Sequence, residues 1–159
     1  MTRTRSAALL LAVLGVAGLL TGCSTTVSMT PAAGANDPAC AAVTVRLGQK
    51  VAGQERRWTD AQATGAWGNA DDGTTVLLTC GLPEAGPSTL PCDSRGGVDW
   101  LIDDSEAPKY RFTTFGRSPS VEVYLDYDKV SGSEALSDLP PAVQQLPATG
   151  AACTERPTD

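Results

Sequence analysis

Histidine is absent from the 159-residue chain. Its absence excludes the Ser-His-Asp and Cys-His catalytic pairs, every histidine-containing zinc site and the commonest general base near neutral pH. Lysine occurs only at Lys50, Lys109 and Lys129, none of which completes the Ser-x-x-Lys motif of a serine-lysine acyl enzyme. No two cysteines stand in Cys-x-x-Cys spacing, which disfavours a thiolate zinc site. We therefore predict no catalytic residues, no metal site and no cofactor.

Aromatic residues are also few, at 5% of the chain, and charged residues make up 19%. Apolar residues reach 42%, with 16 glycines and 11 prolines. This composition is typical of one globular, loop-rich domain and excludes a coiled coil or a disordered acidic tail.

The start of the chain has the pattern of an export signal. Arg3 and Arg5 precede an almost unbroken apolar run over Ser6–Leu20, which is short for a membrane-spanning helix. The run ends in Leu20-Thr21-Gly22-Cys23, which resembles the lipobox of bacterial lipoprotein signals. The pattern predicts a signal peptide over residues 1–22 and, as in such signals, a diacylglyceryl group on the thiol of Cys23. An uncleaved anchor helix and a plain secretory signal are the alternatives.

A diacyl anchor would hold the protein on the extracytoplasmic face of the cell membrane, since two acyl chains attach far more durably than one. Loss of Arg3 and Arg5 with the signal would shift the formal net charge from −6 to −8. This acidity disfavours nucleic acid, anionic lipid headgroups and polyanionic wall polymers as general partners, although a local basic patch could still bind one of them. The expected partners are the membrane itself and an envelope protein or wall precursor. Residues 23–36, small and polar with no repeating apolar face, predict a flexible tether.

Four cysteines follow the lipidation candidate, namely Cys40, Cys80, Cys92 and Cys153. An even number in an exported chain predicts two disulfides, for which three pairings exist. We favour Cys80 with Cys92, which would close a Pro- and Gly-rich loop, and Cys40 with Cys153, which would join the two ends of the domain.

The domain predicted over residues 37–155 begins and ends with helical patterns. Asp37-Pro38 has the residues of a helix start, and Cys40, Val43 and Leu47 follow at helical spacing. Near the end of the chain, apolar residues again keep helical spacing, but Pro140 and Pro141 must divide the helix into two pieces.

Strand patterns fill the region between these helices. Ser120–Asp128 alternates apolar and polar residues, which predicts a half-exposed strand. Further strands are predicted at Thr75–Cys80, Val98–Ile102 and Lys109–Phe115. The predicted fold is a single small α+β domain, an antiparallel sheet of four to five strands with short N- and C-terminal helices on one face and two disulfides.

The densest acidic cluster comprises Asp99, Asp103, Asp104 and Glu106. Carboxylates at such spacing could hold Ca²⁺ or supply a pair for glycoside hydrolysis, which makes an envelope hydrolase acting on wall glycan the alternative function. The cluster lacks the spacing and central glycine of an EF-hand loop, and a strand leaving the sheet into a solvated turn explains it more simply.

Arg117 stands in a tight Gly-Arg-Ser-Pro connection between two predicted strands. Its planar guanidinium suits a carboxylate or phosphate, so Arg117 is a candidate anion-binding residue. An ion pair with Glu122 that fastens the hairpin is the more economical interpretation. Trp58, Trp67 and Trp100 are predicted to fill the core, with a carbohydrate-stacking platform as the alternative.

Several segments together resemble one known family. They include Arg56-Arg57-Trp58, Ala66-Trp67-Gly68, Leu78-Thr79-Cys80-Gly81, Val98-Asp99-Trp100-Leu101 and the segment from Phe112 to Pro119. Their order resembles the actinobacterial family called domain of unknown function 3515, over essentially all of the chain between Cys40 and Cys153. The resemblance implies a small exported protein or lipoprotein and supplies no catalytic residues. We therefore expect a membrane-anchored envelope lipoprotein with a noncatalytic binding or interaction role.

Overall fold

A computed structural model describes residues 26–69 and 73–154 of the chain. In this part of the chain, one antiparallel sheet of eight strands packs with three short helices. The strands are β1 (Lys50–Val51), β2 (Gln54–Arg57), β3 (Thr64–Asn69), β4 (Gly73–Leu82), β5 (Cys92–Arg95), β6 (Val98–Glu106), β7 (Lys109–Phe115) and β8 (Ser120–Asp126). The helices are α1 (Pro38–Thr44), α2 (Gly132–Asp138) and α3 (Pro140–Val143).

The sheet consists of two four-stranded meanders joined side by side, in the order β1-β2-β3-β4-β8-β7-β6-β5. Each meander is a run of consecutive antiparallel neighbours, and β4 joins them by pairing with β8. In this central pair Leu78 lies opposite Val123, and Val76 lies opposite Leu125. All four side chains are buried, so the seam between the meanders forms the middle of the core.

The sheet curls around the helices. Helix α2 contacts both β1 and β5, although these strands form opposite edges of the sheet. The amide of Ala52, just after β1, donates to the Asp138 carboxylate at 2.9 Å. The Gln144 side-chain amide donates to the carbonyl of Gly96, just after β5, at 2.6 Å. These two bonds fix both edges to the helical segment.

The predicted helices are present with adjusted ends. The Asp37 carboxylate accepts a hydrogen bond from the Ala39 amide at 2.8 Å and caps α1 as expected. The helix ends at Thr44 rather than near Leu47, although Leu47 is still buried. At the other end of the chain, Leu139 separates α2 from α3, in agreement with the predicted break at Pro140.

The predicted α+β fold with four to five strands is wrong, because the described chain is mostly β with eight strands. The missed strands lack the apolar alternation that marks a strand in sequence. Strand β5 has the sequence Cys-Asp-Ser-Arg and forms an exposed edge. Strand β3 contains Gly65 and Gly68, which are poor strand formers, yet it is almost fully buried.

The disulfide pairing also differs from the prediction. Cys40 is bonded to Cys80, and Cys92 is bonded to Cys153. Strands β8, β7 and β6 lie between β4 and β5, so four spacings of about 4.8 Å place β4 and β5 roughly 19 Å apart in the sheet. The Cα atoms of bonded cysteines must lie within about 7 Å of each other. The predicted Cys80–Cys92 bridge is therefore excluded, and with it the predicted Cys40–Cys153 bridge. That all four cysteines form two disulfides is confirmed.

Part of the predicted tether lies against the domain. Val27 forms a parallel bridge with Thr59, and the Gly34 amide donates to the Gly81 carbonyl at 3.0 Å. Ala35 is buried. Residues 26–36 are thus bound to the sheet, because small residues allow the backbone to approach closely where a larger side chain would not.

The predicted signal peptide over residues 1–22 and the predicted lipidation residue Cys23 lie outside the described residues. Within the described part of the chain, no helix has the length and apolar character needed to cross a membrane.

Candidate functional site

A groove of about 750 Å³ lies between the end of α1 and the connection from β2 to β3. Its walls include Val45 from the end of α1, Arg56 from β2, Trp58 and Gln62 from the connection, and Thr64 from β3. We call it the Trp58 groove. It combines an aromatic ring, an aliphatic side chain and a guanidinium group in one concave surface.

Trp58 and Val45 expose an unusual amount of apolar surface. Trp58 is 76% exposed and Val45 is 78% exposed, whereas the other exposed large apolar residues in the described chain, Leu90 and Tyr127, reach only 40% and 44%. Val45 is the C-cap of α1 and follows the buried Val43 by two residues, about 200° around the helix, so its side chain lies on the side away from the core. Two exposed apolar side chains in one groove are typical of a binding surface.

The three tryptophans do not share one role. Trp67 and Trp100 are fully buried, which confirms the core prediction for these two. The Trp67 indole N–H donates to the Gly48 carbonyl at 3.0 Å, so its polar edge is satisfied inside the core. The core prediction for Trp58 is wrong, because β2 ends at Arg57 and leaves the next side chain uncovered.

Besides Arg57, Arg56 supplies positive charge to the groove. Its Nη1 atom donates to the Leu47 carbonyl at 2.7 Å, and its guanidinium carbon lies 5.9 Å from the centre of the Trp67 ring. Burial lowers the pKa of Arg56, but a guanidinium stays charged at neutral pH. Among the described residues Arg56 forms no ion pair with a carboxylate. An anionic group in the groove would meet a partly desolvated positive charge.

The polar side chains of the groove are neutral or cationic. Its described lining contains no aspartate, glutamate, cysteine or tyrosine that could act as nucleophile or general base. Threonine hydroxyls, glutamine amides and the guanidinium groups of Arg56 and Arg57 are the polar groups available. An amphipathic anion, with an apolar part against Trp58 and a negative group near Arg56, matches this set of side chains.

The acidic cluster predicted from the sequence divides in two, because Asp99 stands apart whereas Asp103 and Glu106 both interact with Arg111. Asp99 accepts a hydrogen bond from the Cys153 amide at 2.7 Å and so holds the C-terminal segment. Hydrogen bonds from the Ser105 hydroxyl and amide lower the pKa of Asp103 below its usual value. The Arg111 guanidinium, with the Tyr124 hydroxyl, likewise lowers the pKa of Glu106.

A glycosidase acid needs a raised pKa, so neither Asp103 nor Glu106 has the environment of a general acid. Within the described residues, no group of three or more Cys, Asp or Glu side chains is arranged to hold a metal ion.

Arg117 connects two parts of the backbone. Its Nη1 and Nη2 atoms donate to the carbonyl oxygens of Leu146 and Gly97, at 2.9 Å and 3.3 Å. The predicted ion pair with Glu122 is wrong, because Glu122 instead accepts a hydrogen bond from Arg111 at 3.3 Å. The guanidinium fixes the segment after α3 to the turn between β5 and β6. Anion binding by Arg117 stays a prediction.

Sequence reasoning missed the Trp58 groove, because its walls come from segments that meet only in the folded chain. The signal that could have located it was the position of Trp58 after two arginines at the end of a short polar strand. That position leaves an aromatic side chain without a neighbouring apolar run to cover it.

Comparison with known families finds one match. The family model described as "Protein of unknown function (DUF3515)" matches residues 4–151. Searches of the curated proteins and of the solved structures find no match. Because the family match covers far more than half of the sequence, the chain belongs to the family named domain of unknown function 3515.

Proposed function

We propose that this protein is an envelope lipoprotein, anchored through Cys23 on the extracytoplasmic face of the membrane, with a noncatalytic binding role. The Trp58 groove is its binding site. The ligand is an anionic amphiphile of the envelope, such as a wall precursor. The observation that carries the proposal is the exposed Trp58 ring beside the Arg56 guanidinium, which no described carboxylate neutralises.

The sequence supports the anchor. A positive start, an apolar run and the Leu20-Thr21-Gly22-Cys23 segment follow one another as in bacterial lipoprotein signals. The two disulfides are consistent with an oxidising compartment outside the cytosol.

Two features favour binding over catalysis. The whole chain lacks histidine, and the described lining of the groove lacks carboxylates and thiols. The shape of the groove instead suits recognition, because a large apolar area and the Arg56 guanidinium, held by the Leu47 carbonyl, can orient an amphipathic molecule.

Calorimetric titration with farnesyl pyrophosphate tests the binding site. This probe carries a diphosphate for Arg56 and an apolar chain for Trp58 and Val45. Inorganic pyrophosphate and farnesol each lack one half of the probe, so we expect both to bind more weakly. The full-length lipoprotein, purified from membranes into lipid nanodiscs, is the sample.

Substitutions separate specific binding from partition of the probe into lipid. We expect Trp58→Ala to weaken the affinity at least about tenfold, which corresponds to about 1.4 kcal/mol. Arg56→Lys keeps the charge but loses the planar fork, and it should weaken binding of the probe more than binding of farnesol. Leu90→Ala, which removes an exposed apolar side chain elsewhere, should bind as the wild type does. Equal affinity of the wild type and Trp58→Ala would overturn this assignment of the site.

A further inference from the structure

The first described residues of the chain lie directly beside Trp58. The Val27 amide donates to the Trp58 carbonyl at 2.8 Å, and the Asp60 amide donates to the Val27 carbonyl at 3.2 Å. The Asp60 carboxylate then accepts the Met29 amide at 2.9 Å. Three hydrogen bonds therefore fix the path of the backbone at this point, and the chain toward Cys23 starts at the rim of the Trp58 groove.

The remaining distance to the predicted anchor is short. Four peptide units separate Val27 from Cys23, and an extended chain covers at most about 3.6 Å per residue, so the two Cα atoms lie within about 14 Å. A domain of this size has a radius of gyration of about 14 Å as well. With so short a connection, the domain cannot turn its far side toward a membrane that holds Cys23.

The surface around this exit point has the chemistry of a membrane-contacting face. It carries the two most exposed large apolar side chains of the described residues, Val45 and Trp58. Tryptophan favours the headgroup region, because its ring is apolar while its N–H is polar. Arg46, which is exposed, follows Val45, and Arg56 lies in the groove.

Charge complementarity points the same way. The Arg56 guanidinium suits the phosphates of an anionic lipid surface, and the predicted mature chain is otherwise strongly acidic. Asp60 is the carboxylate closest in sequence to Trp58, and it offsets part of this positive charge, because the Met29 amide and the Ser28 hydroxyl lower its pKa and keep it ionised. The acidic remainder of the domain would be repelled from such a surface, which favours contact through this one face.

We propose that the face formed by Val45, Arg56 and Trp58 lies against the outer surface of the phospholipid bilayer, with the Trp58 ring in the headgroup region. This orientation rests on the proposed anchoring through Cys23. The Trp58 groove then opens toward the lipid headgroups, so its ligand is drawn from membrane-borne anionic amphiphiles.

Quenching of tryptophan emission by brominated lipids tests this orientation. The full-length lipoprotein is reconstituted into vesicles of equal parts phosphatidylcholine and phosphatidylglycerol, brominated on the acyl chains close to the glycerol. The contribution of Trp58 is the difference between the wild type and Trp58→Phe, since Trp67 and Trp100 remain in both. We expect this contribution to lose most of its intensity and to shift to shorter wavelength.

A displaced tryptophan serves as the matched control. The strand pairings place Arg56 of β2 level with Leu125 of β8, three strands away. Trp58 follows Arg56 by two residues, and Tyr127 follows Leu125 by two residues in the opposite direction. The two positions are therefore also about 13 Å apart along the strands. In the double variant Trp58→Phe/Tyr127→Trp, the new tryptophan should keep its emission. Equal quenching at both positions would show that no face is preferred and would overturn the proposal.

Labelling of the same sample with palmitate distinguishes the two proposals. If the protein carries the label but Trp58 is not quenched, the orientation is wrong and the anchoring stands. If the protein carries no label, the anchoring itself is wrong, and the orientation fails with it.

Discussion

Trp58 and Trp67 show how neighbouring residues of one type acquire different roles. Trp67 lies in the middle of β3 and packs close to Gly65, whose missing side chain leaves room for the ring. Its indole N–H bonds to the Gly48 carbonyl. Trp58 follows the end of β2, where its backbone carbonyl accepts a hydrogen bond from the Val27 amide. The same side chain thus stabilises the core at one position and is available to a ligand or membrane at the other.

The Arg117 side chain holds two separate backbone segments together, at Leu146 and at Gly97. Arg117→Ala removes hydrogen bonds to the Leu146 and Gly97 carbonyls, so we expect the free energy of unfolding to fall by about 1–2 kcal/mol. Denaturant unfolding measures this change. Arg46→Ala, which loses only a bond to Ala42 of its own helix, is the control and should change stability by about 0.5 kcal/mol or less. Similar small effects for both variants would contradict this stabilising role of Arg117.

Asp60 makes the attachment of the N-terminal segment dependent on pH. The Met29 amide and the Ser28 hydroxyl lower the pKa of Asp60, so the folded state favours its ionised form. The attachment is therefore complete above the ordinary aspartate pKa of about 4 and is lost as the pH falls through the lowered value. We expect Asp60→Asn to speed amide hydrogen exchange at Val27 and Met29 while leaving exchange in β4 unchanged. Unaltered exchange at Met29 would count against this contact.

At the scale of elements, two glycines let the N-terminal segment cross strand β4. Gly81 has φ of +105°, and a Cβ atom there would overlap the backbone of Gly34. The crossing occurs where β4 shifts its register against β8, between Cys80 and Leu82. A close backbone approach therefore explains both glycines.

Gly81→Ala should destabilise the protein by at least about 2 kcal/mol, because it combines an unfavourable φ with a backbone overlap. Gly86→Ala is the matched control, since a Cβ atom there would meet nothing within 4 Å. We expect Gly86→Ala to stay within about 0.5 kcal/mol of the wild type. Thermal or denaturant unfolding of the two variants gives the comparison, and equal stabilities would refute the predicted crossing.

The disulfides connect different kinds of elements. Cys40–Cys80 joins α1 to β4 inside the core, whereas Cys92–Cys153 joins the half-exposed edge strand β5 to the C-terminal segment. In the chain-entropy model each contributes about 4 kcal/mol.

Peptide mapping without reductant should recover these two pairs, and mild reduction should open Cys92–Cys153 first because it is more accessible. We expect Cys40→Ala/Cys80→Ala to cost more stability than Cys92→Ala/Cys153→Ala, since it also removes buried sulfur atoms. Recovery of a Cys80–Cys92 peptide would contradict the strand order itself.

For the whole molecule, the sequence predicted the parts whose signals are local. The Asp37 cap, the break at Pro140 and the alternation of β8 each depend on a few adjacent residues, and each is confirmed. The pairing of β4 with β8 joins residues that are 38 to 49 positions apart and has no local signal. The disulfide pairing depends on this strand order. The missed strands lack apolar alternation, and the Trp58 groove is formed by segments that meet only in the folded chain, so these features could not be predicted from local signals.

The curled sheet leaves the Trp58 groove and the exit of the N-terminal chain on the same side of the molecule. The proposed anchor, orientation and ligand therefore form one hypothesis, in which a short chain holds a binding surface at the membrane. The orientation and the delivery of a membrane-borne ligand depend on acylation of Cys23.

Metabolic labelling of growing bacteria with palmitate is the most direct test of this hypothesis. We expect label on the wild-type protein in the membrane fraction. In Cys23→Ser, the label should be absent and the protein should leave the membrane, because no acyl chain holds it. A wild-type protein that stays unlabelled and is recovered in the medium, or in the cytosol with reduced thiols, would contradict the account.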